Sequence, residues 1–133
     1  IITAGGENVA PQLVEGYLKS IPVVSQAVVI GDRRRYLGAL LTLDPARLPM
    51  DAAAAGSSAR DAASAAACEK FRALLQREID AVNAKLARSQ TVKRFEIIVG
   101  EFTVEGGELT PSLKVRRRAV EEKYAAEIER LFK

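Results

Sequence analysis

Apolar residues fall at helical spacing in three stretches of the chain and form β-rich runs in three others. Leu13, Val14, Tyr17, Leu18 and Ile21 keep to one helical face, which predicts an amphipathic helix over residues 11–20. Pro11 suits the first helical position, where a missing N–H costs nothing, and Pro22 ends the helix. VVSQAVVI (residues 23–30) and LGALLTL (37–43) read as strands, and the short turn opened by Gly31-Asp32 predicts a β-hairpin. Their nearly unbroken apolar character predicts a central, covered position rather than an open face. Phe71, Leu74, Leu75, Ile79, Val82 and Leu86 mark one face of a helix from Glu69 to about Ala87. RFEIIV (94–99) is the third predicted strand, and Glu105-Gly106-Gly107-Glu108 is a turn. Val120, Tyr124, Ile128, Leu131 and Phe132 define a C-terminal helix.

Residues 46–67 carry the weakest pattern. Residues 52–67 are mostly alanine, an excellent helix former that buries little surface. One or two short, loosely packed helices around Gly56-Ser57-Ser58 are predicted, with a partly disordered surface insertion as the alternative. The order αββααβα gives an α+β domain, a small sheet of about three main strands covered by helices. A length of 133 residues suits one domain.

Composition narrows the picture. Hydrophobic residues make up 48% and charged residues 28%, as in soluble globular proteins, while aromatics are only 5% and Trp is absent, so the core must be aliphatic. Lys plus Arg exceeds Asp plus Glu by 20 to 17, a bias compatible with an anionic ligand but too small to indicate nucleic acid. Cys68 is the one cysteine, which excludes an internal disulfide and fits a reducing compartment. With no histidine, Cys–His catalysis and the usual Cys/His zinc sites are excluded. No apolar run approaches the ~20 residues of a membrane-spanning helix, and no signal-peptide pattern is present. The opening on Ile1-Ile2 without an initiator Met is expected of a fragment or processed product.

Three features are candidates for chemistry. Lys114 follows Thr110-Pro111-Ser112 in a loop just before a predicted helix, a placement that suits charge neutralisation in phosphoryl or nucleotidyl transfer and equally a solvated surface lysine. Arg33, Arg34 and Arg35 in the hairpin turn, and Arg116, Arg117 and Arg118 after Lys114, could contact phosphates or form solvated rims, with Arg117 pairing to Glu121 at i,i+4. Gly5-Gly6 ends a short strand at residues 1–3 and is either a site of close backbone approach or a plain tight turn, and it is neither a Walker nor a dinucleotide fingerprint.

Taken together, ITAGGENVAPQLVE (residues 2–15), AVVIGDRRRYLGALLTLDP (27–45) and FTVEGGELTPSLKVRRR (102–118) resemble the C-terminal domain of the adenylate-forming superfamily, most closely the AMP-forming long-chain fatty acyl-CoA synthetases. The resemblance covers most of the chain and is poorest over residues 46–67. It implies a mobile lid that partners a large N-terminal adenylation domain outside this sequence, with the hinge residue just before Ile1. It implies two reactions: ATP and a fatty acid give acyl-adenylate and pyrophosphate, then the CoA thiol displaces AMP. Lys114 matches the family's catalytic lysine, and Gly5, Gly6 and Glu7 match the loop lining the pantetheine tunnel. Arg33, Arg34 and Arg35 become candidate contacts for the CoA phosphates. ATP, CoA and Mg2+ would act through the full-length enzyme, with Mg2+ not bound by this domain and no nucleic acid involved. The implied location is the cytoplasm, with peripheral association at the inner membrane face left open. The competing reading is a non-catalytic module that offers a basic face to an anionic partner.

Overall fold

The computed structural model describes all residues 1–133. Helix α1 (Pro11–Leu18) leads into the hairpin of β1 (Val24–Ile30) and β2 (Leu37–Leu43), followed by α2 (Leu48–Ala54), α3 (Ala62–Ala67) and α4 (Glu69–Asn83). Strand β3 (Val92–Ile97), α5 (Arg117–Lys123) and α6 (Ala125–Leu131) complete the chain. The α+β architecture is the one the sequence predicts, and Pro11 opens α1 as expected.

The sheet order is β1-β2-β3, with β1 antiparallel to β2 and β3 parallel to it. A parallel neighbour needs a long crossover, which α2, α3 and α4 supply. All seven residues of β2 are buried, matching the predicted covered position. β1 is instead an edge strand. It reads as apolar because both faces of the sheet are covered. Ala27, Val29, Ala39 and Leu41 join a core under α1 to α4, while Val28, Ile30 and Leu40 join a second core with Ile98, Phe102, Val120, Ile128 and Leu131. Alternate residues of one strand therefore feed opposite cores.

Three of the boundaries that differ from the sequence reading have a clear cause in the structure. α4 stops at Asn83 rather than Ala87 because the Asn83 side chain turns to the start of β3, donating to Val92 O (2.8 Å) and accepting from Val92 N–H (2.9 Å). The same contact starts β3 at Val92, two residues early. The C-terminal helix is broken into α5 and α6 at Tyr124, whose backbone (φ −108°, ψ 31°) leaves the helical range.

The alanine-rich segment is packed more closely than predicted. Leu48, Ala52, Ala59 and Ala65 are all buried in the larger core. Small side chains let α2 and α3 lie close to their neighbours, which apolar bulk alone does not reveal. Asp61 caps α3 by accepting from Ser64 N–H at 2.9 Å, so this short helix has a defined start. No helix of the chain is long and apolar enough to cross a membrane.

Candidate functional site

Lys114 sits at the tip of a narrow hairpin. Leu109 and Val115 form an antiparallel bridge, Leu113 N–H donates to Thr110 O (2.8 Å), Thr110 N–H donates to Lys114 O (2.8 Å), and Lys114 N–H donates to the Thr110 hydroxyl (3.1 Å). Leu113 holds a left-handed backbone at φ 65°, unusual for a branched apolar residue, and its side chain is 64% exposed. The Lys114 side chain is exposed and forms no ion pair within the chain. It borders a groove of about 470 Å³ with Gln12, Glu15, Lys19 and Arg117.

The two ends of this hairpin are anchored differently. On the incoming side Glu108 is 98% buried, its carboxylate 2.8 Å from Lys123 Nζ and 2.7 Å from the Tyr124 hydroxyl, and it accepts from Thr103 N–H at 3.1 Å. Burial opposes its ionisation, but the hydrogen bonds from Lys123, Tyr124 and Thr103 outweigh that and lower the carboxyl from 4.5 to about 2. Burial and the bond to this carboxylate push the Tyr124 phenol upward. On the outgoing side Arg117 reaches Glu15, with Nη1 2.8 Å from Oε2 and Nη2 2.9 Å from Oε1. The predicted Arg117–Glu121 pair does not form, because the guanidinium turns toward α1 and the sheet edge, where a two-pronged partner is available.

The glycine turn forms elsewhere. Ile2 and Asn8 bridge antiparallel, Gly6 N–H donates to Thr3 O, and Gly6 takes φ 82°, which favours glycine. A Cβ at Gly5 or Gly6 would meet nothing of the chain closer than 4.0 Å, so both positions open outward. The structure brings this turn against the arginine triplet: Ala4 N–H donates to Arg34 O (2.9 Å), Arg33 N–H to Ile2 O (2.8 Å), and Ile2 N–H to the Asp32 carboxylate (3.1 Å).

The triplet then divides. Arg33 has φ 61° at the turn, and the Arg34 guanidinium lies over Phe132, 4.5 Å from the ring centre. Arg35 alone lines a second groove, of about 540 Å³, with Gly5, Glu7, Tyr36, Arg88 and Lys93. Arg88 and Lys93 escape the sequence reading because neither falls in a motif, Arg88 standing alone and Lys93 only beside Arg94. Only their arrival beside Gly5 gives them meaning. The Lys114 groove and this one share no lining residue.

A small α+β domain with a lysine hairpin on one groove and a glycine turn on another fits the class of C-terminal domains of adenylate-forming enzymes. The sequence model of the AMP-binding enzyme C-terminal domain matches residues 1–133, and the chain belongs to that family. It is 39% identical over 136 aligned residues to the long-chain-fatty-acid–CoA ligase FadD15 of Mycobacterium tuberculosis, covering 99% of this chain and 22% of that protein. The Drosophila melanogaster long-chain-fatty-acid–CoA ligase heimdall is 33% identical, over 100% of this chain and 25% of that protein. The chain thus spans about a fifth to a quarter of these relatives. Among solved structures, the adenylation domain of a carboxylate reductase from Mycobacterium chelonae aligns with a TM-score of 0.78 at 27% identity, over 99% of this chain and 19% of that one. An AMP complex of a carboxylic acid reductase didomain from Segniliparus rugosus aligns at 0.76 and 25% identity, over 98% and 17%.

Proposed function

We propose that this chain is the catalytic lid of an ATP-dependent, AMP-forming long-chain fatty acid–CoA ligase, working against the larger adenylation domain of the same protein and inactive alone. The observation that carries this reading is the separation of Lys114 and the glycine turn into two grooves, each with free cations and no shared residue. One active site can meet both only if the lid presents one groove for each half-reaction.

In the first, the fatty-acid carboxylate attacks the α-phosphorus of ATP and pyrophosphate leaves. Lys114 offers its charge to the converging carboxylate and phosphate oxygens, whose mutual repulsion it offsets. In the second, the CoA thiolate attacks the acyl carbon and AMP leaves with the bonding pair. The Gly5-Gly6-Glu7 turn then gives the pantetheine arm a wall without side-chain bulk. Arg35, with Arg88 and Lys93, takes the CoA phosphates, while Arg33 and Arg34 contribute field at the rim. No group of three or more His, Cys, Asp or Glu side chains converges in the chain. We assign the Mg2+ that accompanies ATP to the nucleotide phosphates and the larger domain.

The test is Gly5→Leu in the full-length enzyme. A Cβ at Gly5 would have as its nearest neighbour in this domain the Thr3 hydroxyl, at 4.0 Å, so the fold should survive and ATP–pyrophosphate exchange should continue. Thioester formation from supplied acyl-adenylate should fall by about tenfold or more, as misplacement of a reactant does. Equal loss of both half-reactions would contradict the assignment.

A further inference from the structure

The hydrogen bonds of the Lys114 hairpin lie almost wholly within it, so they fix its shape but not its place on the molecule. Leu109 and Val115 pack its base against the second core, and charged side chains hold it at its two ends. Glu108 ties the incoming strand to Thr103, Lys123 and Tyr124, all in the α5–α6 layer or the loop leading to it. The tie from the outgoing strand to the sheet is Arg117, three residues after Lys114 and bordering the same groove.

That tie has an unusual form. Besides its hydrogen bond from Nη2 and its ion-pair contact from Nη1 to Glu15, the Arg117 guanidinium donates to Val29 O at 3.2 Å, and Glu15 Oε2 accepts from Val29 N–H at 2.7 Å. Val29 lies on edge strand β1, and these are the two backbone bonds a further strand would make. A carboxylate from α1 and a guanidinium from α5 together stand in for that strand. The pair is half-buried, with side-chain exposures of 12% for Glu15 and 32% for Arg117, and its fork geometry allows little rotation. Helix α1, strand β1 and the lysine hairpin therefore meet at one bidentate ion pair.

We propose that the Glu15–Arg117 pair is a positioning device that fixes Lys114 over its groove for adenylation. This rests on the reading of Lys114 given above. Arg117 acts through Lys114 rather than on the reacting atoms, since its guanidinium is spent on Glu15 and Val29. Loss of the pair leaves the hairpin its internal bonds and the Glu108 anchor, so Lys114 remains present but is less well placed. Misplacement of about 1 Å can cost up to about a hundredfold in rate, and partial loosening should cost less.

The experiment is a double-mutant cycle in the full-length enzyme, reading both half-reactions. Arg117→Met should lower kcat for ATP–pyrophosphate exchange about tenfold while changing KM for ATP and fatty acid by less than about twofold. Thioester formation from supplied acyl-adenylate should be unchanged, which a general folding defect would not allow. In a Lys114→Ala background, Arg117→Met should produce no further loss, because there is no lysine left to position. If Arg117→Met does not fold, Glu15→Gln carries the same cycle, since it keeps an acceptor for Val29 N–H and removes the ion pair. Full additivity with Lys114→Ala, or equal loss in both half-reactions, would overturn the positioning role and leave the Lys114 reading standing. If Lys114→Ala alone spares exchange, the Lys114 reading fails, and this proposal with it.

Discussion

At the scale of single residues, charged side chains hold both ends of the Lys114 hairpin, and Glu108 shows what one of them contributes. Its carboxyl lies near 2 in the folded chain against an ordinary 4.5, so the folded state holds its proton less tightly than the unfolded state. The stability from this group is complete above about 4.5 and is lost as pH falls from there toward 2. Thermal unfolding across that window should show a steep acid limb that Glu108→Gln flattens, with a cost of about 1–3 kcal/mol at neutral pH from the disrupted bonds to Lys123 and Tyr124. An acid limb unchanged by the substitution would show that the charge on Glu108 stabilises nothing. None of this is legible in the sequence, where Glu108 reads only as the last residue of a turn. Its partners lie 15 and 16 residues later. Glu15 is hidden in the same way, since its partner Arg117 is 102 residues away. Lys114 and the Gly5-Gly6 turn are legible as candidates because each rests on one residue type at one place in a short motif.

At the scale of elements, periodicity located the strands and the long helices, and it failed where side chains rather than apolar spacing decide a boundary. Asn83 ended α4 early by bonding to Val92, and the backbone of Tyr124 broke the C-terminal helix while its hydroxyl bonded Glu108. The alanine-rich α2 and α3 are the short helices the sequence predicts, and only their packing differs, because burial there comes from closeness rather than bulk. Packing between α6 and the sheet follows the same rule at Gly38. A Cβ at Gly38 would lie 3.0–3.3 Å from side-chain atoms of Leu131. Leu131 has little freedom to yield, because it is buried in the second core and its carbonyl accepts from the Tyr36 hydroxyl at 2.6 Å. Gly38→Ala should therefore destabilise the domain by about 1–2 kcal/mol in chemical denaturation, as overpacking does. A stability equal to or above that of the parent would mean that α6 slides on β2 more easily than its contacts imply.

At the scale of the whole molecule, the sheet is a plate that contributes to both grooves, through Gln26 and Ala27 of β1 in one and Leu37 of β2 in the other. Side chains take the outward backbone groups of one residue on each edge, Glu15 and Arg117 at Val29 of β1 and Asn83 at Val92 of β3. The Lys114 hairpin is fastened to one margin of this plate, and the glycine turn is fastened to the β1–β2 turn. A rigid domain with two separated working surfaces can serve two reactions in sequence by changing its pose, without changing its own structure. The most direct test is the pair of half-reactions in full-length enzyme carrying Lys114→Ala. The account predicts that ATP–pyrophosphate exchange with a fatty acid falls by about a hundredfold or more, the scale of losing one preorganised charge, while thioester formation from supplied acyl-adenylate is nearly unchanged. Retention of exchange would contradict it, leaving Lys114 an ordinary surface lysine on a domain of shared ancestry.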